Sequence, residues 1–349
     1  MALTTELINT TFAEHKEPLV DSSLRNTRFW SIIEKQGRPG EGGTYVERNI
    51  AGQSPAVAKG IFSGDEVLNM TRRQIMKKFQ VEYHRIVGAI NIPNYELKIN
   101  SGKNGVIKLI KAYPMQFMTQ FASDLDQYLL TGAVRGLGAL GTTDAAGLLT
   151  LNGLFSSGTR TGVTNGLLDM VAIGSQTETV QNVAKSTTYF HYNHWDSISS
   201  WSGEGEETLR AMGRTVAEWG GITNDLSGLY VLPDPDTYKN YESNKLSNVR
   251  VTVVNDKDTS KVVDLDLQGA QVIFTSAMDR ANFGSPASTG VTYFINPKFI
   301  EVLFLQKPTI GQFIDRIAEQ DVVTAKFEMM LAWLCTKPTA QGVVTGGAT

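Results

Sequence analysis

The sequence predicts an α+β fold, and three observations carry that prediction. Apolar residues recur at helical spacing in two segments, 114–131 and 206–220. Apolar and polar residues alternate strictly around residues 79–84, as in a half-exposed strand. Between residues 228 and 275, strand-like runs alternate with helical stretches, the pattern of a compact mixed α/β unit. The 349 residues are 41% hydrophobic and 19% charged, enough for one large domain or two interwoven ones.

The elements follow in order. Residues 1–20 are polar with weak periodicity and read as an arm that orders on a partner. Residues 21–36 predict a helix: Asp21 or Ser22 caps it, and Leu24, Phe29, Ile32 and Ile33 form one stripe. Gly37 ends that helix and Pro39 prevents its resumption, so residues 37–43 read as a turn. Strand character starts at Thr44 and returns where Phe79, Val81 and Tyr83 alternate with Gln80, Glu82 and His84. Two extended arms joined by the Gly- and Ser-containing stretch 51–66 make a long β-hairpin. A lone hairpin has too little apolar surface to stand by itself, and the sequence offers no obvious cover within its own domain.

The helix at 114–131 is the strongest, with Phe117, Phe121, Leu125, Tyr128 and Leu129 three and four apart, Pro114 at its first position and Gly132 at its stop. Glycine accounts for 33 residues and is dense from 132 to 162, which reads as loop. In the helix at 206–220, Leu209, Met212, Val216 and Trp219 share a face, and Glu206 and Glu207 favour its N-terminus. The run from Gly228 to Ser243 reads as strand, turn and short helix, with Pro235 near the helix start. Further strands are expected at 249–254, 262–267, 270–275, 291–305 and 326–336, before a small, polar tail.

Composition excludes several classes. Lys and Arg total 32 against 35 Asp and Glu, a net charge of -3, which argues against a dedicated nucleic-acid binder. The single cysteine, Cys335, excludes an internal disulfide framework and any zinc site built on several thiolates. Glu6 and Glu14 interrupt the apolar run that a signal peptide needs, and no segment approaches the roughly 18 apolar residues of a membrane span.

The chemical motifs are weak. Gly136, Gly138 and Gly141 match G-x-G-x-x-G but follow a helix, and no acidic residue stands ~20 positions on, so a glycine loop outweighs a cofactor site. Near Gly102-Lys103, Leu97 replaces the first glycine of a phosphate loop and Asn104 the magnesium-binding hydroxyl, so this reads as a hairpin turn. His191 and His194, three apart, have the spacing of two metal ligands on one helical face, with Asp196 as a third ligand, but their aromatic neighbours favour a packed segment. No G-x-S-x-G elbow occurs, and no enzyme, cofactor or metal site is expected. Residues 71–87 carry a net charge of +4. Arg72, Arg73, Lys77 and Lys78 within it are the candidate contacts to an acidic surface of another subunit; a merely solvated strand face is the alternative.

The order of these parts resembles the major capsid proteins of tailed bacteriophages, the Hong Kong 97-like fold. Residues 112–132 are similar to the family's spine helix, with its proline start and LL-x-G ending. The run from Tyr230 to Tyr241 resembles its strand, proline and short helix, and residues 326–344 its last long strand and closing segment. The resemblance implies an arm and short helix at 1–36 and an extended hairpin, or E-loop, at 37–95. It implies a peripheral domain at 96–165 with 283–349, and an axial domain at 166–282.

It further implies a virion protein, made in the host bacterial cytoplasm, that assembles with itself into hexamers and pentamers. These would form an icosahedral head around double-stranded DNA, contacted non-specifically and without a membrane. A portal protein and a decoration protein are the other partners that the resemblance brings. A separate scaffolding protein is expected, because no long charged helical region precedes Asp21. The founding member joins a hairpin lysine to an asparagine near the last strand. Lys59 is placed near the hairpin tip, but residues 315–334 contain no asparagine, so a noncovalent shell is expected. An encapsulin-like cellular nanocompartment is the alternative of the same architecture; an unrecognised hydrolase or oxidoreductase is the other.

Overall fold

A computed structural model describes residues 28–51, 76–99, 112–123, 179–180, 183–184, 194–201, 204–222, 226, 228–248, 269–275, 290–316 and 322–346. In chain order the elements are helix α1 (Arg28–Glu34), strands β1 (Gly37–Pro39), β2 (Tyr45–Ala51), β3 (Met76–Glu82) and β4 (His84–Pro93), and the short helix α2 (Asn94–Ile99). Helix α3 covers residues 112–123. Strands β5 (Thr179–Val180), β6 (Val183–Ala184) and β7 (His194–Ser197) precede helix α4 (Gly205–Gly220). Strand β8 (Tyr230–Pro233), helix α5 (Pro235–Asn248) and strands β9 (Gln271–Val272) and β10 (Val291–Ile295) follow. Strands β11 (Ile300–Ile310), β12 (Ile314–Arg316), β13 (Val322–Cys335) and β14 (Gly342–Thr345) close the chain.

Two five-stranded sheets organise these elements. In the first, β13 is the spine: β4 runs antiparallel along one side, and β11 followed by β12 along the other. Alternation along β13 explains its facing. Val323, Ala325, Phe327 and Met329 are buried while their neighbours are not, and helix α3 covers the buried side. Phe117 and Phe121 of α3 stack at 5.9 Å, and Phe121 lies 4.5 Å from the Phe327 ring. Gly88 in β4 is required there, because any side chain would collide with Phe117. Trp30 of α1 is fully buried and meets Phe304 edge-on at 6.1 Å.

The second sheet has the order β7-β14-β10-β8-β9. Helix α4 lies on it through Leu209, Met212 and Val216, and stops where Gly221 takes a left-handed φ of 70°. Helix α5 starts at the expected proline, and Asp234 caps it by accepting from the Asp236 and Thr237 N–H groups. One apolar core joins the sheets, since Leu232, Tyr293 and Val343 pack with Phe327, Leu331 and Trp333.

Several expectations need correction. Gly37–Pro39 is not a turn: it is a strand, paired in parallel with Val302–Phe304 at the edge of the first sheet. The run 291–305 is two strands, because Asn296 caps a 3-10 turn at Pro297–Phe299 that carries the chain from one sheet to the other. The small, polar tail contains a strand: Gly342–Thr345 lies between β10 and β7 and is mostly buried. Its small residues are what the position demands, since a Cβ at Gly342 would come within 2.6 Å of Met212 Sδ. The expected strands 249–254 and 262–267, the glycine-dense stretch and the second half of the 114–131 helix lie outside the described residues.

Candidate assembly surface

The hairpin is built from β2 and β3, paired antiparallel from Tyr45↔Glu82 to Ala51↔Met76. Residues 84–93, which the sequence placed in the same arm, pair instead with β13. The hairpin root is anchored. Val46 and Val81 are 6% and 0% exposed and pack on Leu303, Ala332 and Leu334 of the first sheet. Burying two valines is worth roughly 3–6 kcal/mol. The Arg48 guanidinium adds contacts to Glu41 and Glu301, each at 3.7 Å, and β6 touches β3. The sequence offered no obvious cover within the hairpin's own segment; the root finds it on the first sheet of the same chain.

Register then sorts the rest of the hairpin. Pairing continues past the valines, with Arg48 opposite Phe79 and Ile50 opposite Lys77. The opposite face carries Glu47 across from Gln80, and Asn49 across from Lys78. Glu47 accepts from Gln80 Nε2 at 2.8 Å and from Lys78 Nζ at 3.0 Å. Those two donors, Gln80 first, hold its carboxyl below the usual glutamate value.

Of the four candidate contacts, Lys77 and Lys78 lie on adjacent positions of β3, hence on opposite faces. Lys78 is exposed but already paired with Glu47 of its own hairpin. Arg72, Arg73 and Lys59 lie outside the described residues, as do His191, the Gly136–Gly141 motif and residues 100–104. The metal-ligand spacing loses its geometry: His194 and Asp196 stand in a strand, not on a helical face. Among the described residues no cluster of three metal-ligating side chains forms. His194 packs against the Trp219 ring at 5.9 Å. Burial lowers its pKa below the ordinary histidine value, and a hydrogen bond to the Thr339 backbone opposes that shift. Cys335 is fully buried, and burial raises its thiol to about 12, which disfavours the thiolate.

Sequence reasoning missed the acidic side of this surface. Glu328 holds both Arg85 and Lys326, the latter at 2.8 Å, and these hydrogen bonds keep its carboxyl below the ordinary value. The cross-strand register that assembles Glu47 with Gln80, and Glu328 with Arg85, spans 33 and 243 residues. No local pattern encodes such pairs.

No family model and no curated protein matches the chain. Solved structures do. The chain is similar to the cyanophage A-1(L) capsid asymmetric unit, at 14% identity and a TM-score of 0.58, over 93% of each chain. It is similar to the capsid of Myoviridae phage XM1, at 12% identity and a TM-score of 0.52, over 92% of this chain and 91% of that one. A satellite phage P4 procapsid structure matches at 11% identity and a TM-score of 0.50, covering 95% and 90%. The chain has the phage major capsid protein fold, Hong Kong 97-like, along nearly its whole length.

Proposed function

We propose, with that shared fold as the premise, that this chain is the shell subunit of a tailed-phage head. The observation that carries the reading is the match with a phage capsid chain over 93% of each chain. The hairpin supports it physically. Its root is fixed to its own sheet through Val46 and Val81, while its strand pairing runs on as far as Ala51 and Met76. A second copy is the natural cover for such an arm, because the entropy of ordering it is recovered only on contact. Repeated head-to-tail contacts of this kind close into rings.

In this reading the subunit acts structurally, without catalysis, in the virion, after assembly in the host cytoplasm. Rings of six and five copies enclose double-stranded DNA, touched without sequence preference. A separate scaffolding protein, a portal and a decoration protein complete the particle. Contacts between subunits are noncovalent. Arg72, Arg73, Lys77 and Lys78 meet an acidic neighbouring surface, with Lys78 sharing its charge with Glu47. The purified chain, viewed by negative-stain microscopy, should give rings, tubes or closed particles. A small fixed oligomer at every concentration overturns the proposal.

A further inference from the structure

The first sheet ends in an unusual edge. Among the described residues β4 pairs with β13 alone, through ten consecutive positions without a bulge. Among the described residues the terminal strands at the other edges of the two large sheets are short: β1 and β12 have three residues, β7 four and β9 two, and β11 beyond β1 is interrupted by register shifts and Pro308. The hairpin edges are longer but carry Glu47, Arg48, Lys77 and Lys78. Proteins blunt free edges by shortness, charge, proline or bulges, because an unprotected edge recruits another strand. β4 has none of these across its middle.

Its side chains favour recruitment. On the covered side Ile86, Ile90 and Ile92 lie in the core beneath α3. On the open side Arg85 is drawn back to Glu328, and Asn91 accepts from Thr324 Oγ1 at 2.9 Å. The polar groups at both ends are thus held on their own sheet. Val87, Gly88 and Ala89, small and uncharged, occupy the centre.

We infer that the edge of β4 left open by the described strands docks the same strand of a second copy, antiparallel and centred on Gly88. Only a pairing centred on a residue keeps each side chain on its own face. With Gly88 as the centre, Ile86 faces Ile90, Val87 faces Ala89 and Arg85 faces Asn91, so the apolar side is continuous and no like charges oppose. Moving the centre to Ala89 would bring Pro93, which lacks an N–H, into the new ladder. The paired length, nine residues, spans about 30 Å. A twofold contact of this kind is self-complementary, unlike the head-to-tail contacts proposed for the rings. The choice of a second copy as occupant rests on the shell reading.

Amide hydrogen exchange on dilute and on concentrated or assembled full-length protein tests this. Amides within residues 85–91 should exchange about ten-fold or more slowly in the associated state. V87K/A89K sets lysine opposite lysine across the contact and should abolish that protection. V87K/A89E sets lysine opposite glutamate and should restore it, which a mere folding defect would not do. Protection that is absent in associated wild-type protein, unchanged in V87K/A89K, or seen only after another protein is added overturns the inference. Protection in a small oligomer that never forms a shell supports the edge contact while sinking the shell reading. Shells with an unprotected β4 do the reverse.

Discussion

Gln341 acts where one sheet hands the chain to the other. Its side-chain Oε1 accepts from the Asn296 N–H at 2.9 Å, and its Nε2 donates to the Asn296 carbonyl at 3.0 Å. Both residues are buried, at 0% and 2% exposure, so a side-chain amide completes main-chain bonding where no strand could reach. Gln341→Ala should cost roughly 2–4 kcal/mol, since it strands a buried donor and a buried acceptor; a urea melt of the dilute subunit measures it. His194 gives a pH dependence. Burial disfavours its charged form in the fold, whereas the unfolded chain takes up the proton near the ordinary value of 6.5. Below that value the unfolded state binds more protons, so stability is full above it and is lost as pH falls through the lower folded value. Between pH about 7 and about 5, the wild-type melting temperature should fall more steeply than that of His194→Gln. Equal slopes would show that this imidazole is not the sensor.

At the scale of elements, the hairpin and β13 explain one another. Burial in β13 alternates from Val322 to Met330 and then becomes continuous from Leu331 to Cys335. The change falls where Val46 and Val81 close over Ala332 and Leu334. The two-residue period was readable in the sequence; the switch to two-sided burial was not, because its cause lies some 250–290 residues earlier in the chain. Element types were likewise legible for helix α4, whose apolar stripe and glycine stop are local signals. They were not legible for β1, where a glycine and a proline pair with β11 in spite of their propensity. The basic run before β3 belongs to the same scale. Reversing Arg72 and Arg73 to Glu should impair assembly several-fold in light scattering without altering the subunit's circular dichroism. Normal particles from that variant would remove these residues from the contact.

Over the whole molecule, one core crosses both sheets, so the described body should unfold as a unit. Far-ultraviolet circular dichroism and tryptophan fluorescence should give one coincident transition for the dilute subunit, with Trp30 and Trp333 buried in that core. Two separated transitions would mean that the sheets are independent. The amino-acid order by itself determined the α+β class, the main helices, the alternating strands and the absence of a recognisable catalytic motif. These depend on spacing within a few residues, and a strong local period survives any packing. Only the tertiary structure decided that a small, polar-looking tail is an inner strand, that the hairpin is anchored at its root, and that Glu47 stands across the hairpin from Gln80 within reach of Lys78. Those outcomes come from strand register and layer contact between residues far apart in the chain. A sheet places such residues side by side through main-chain hydrogen bonds that carry no trace of side-chain identity.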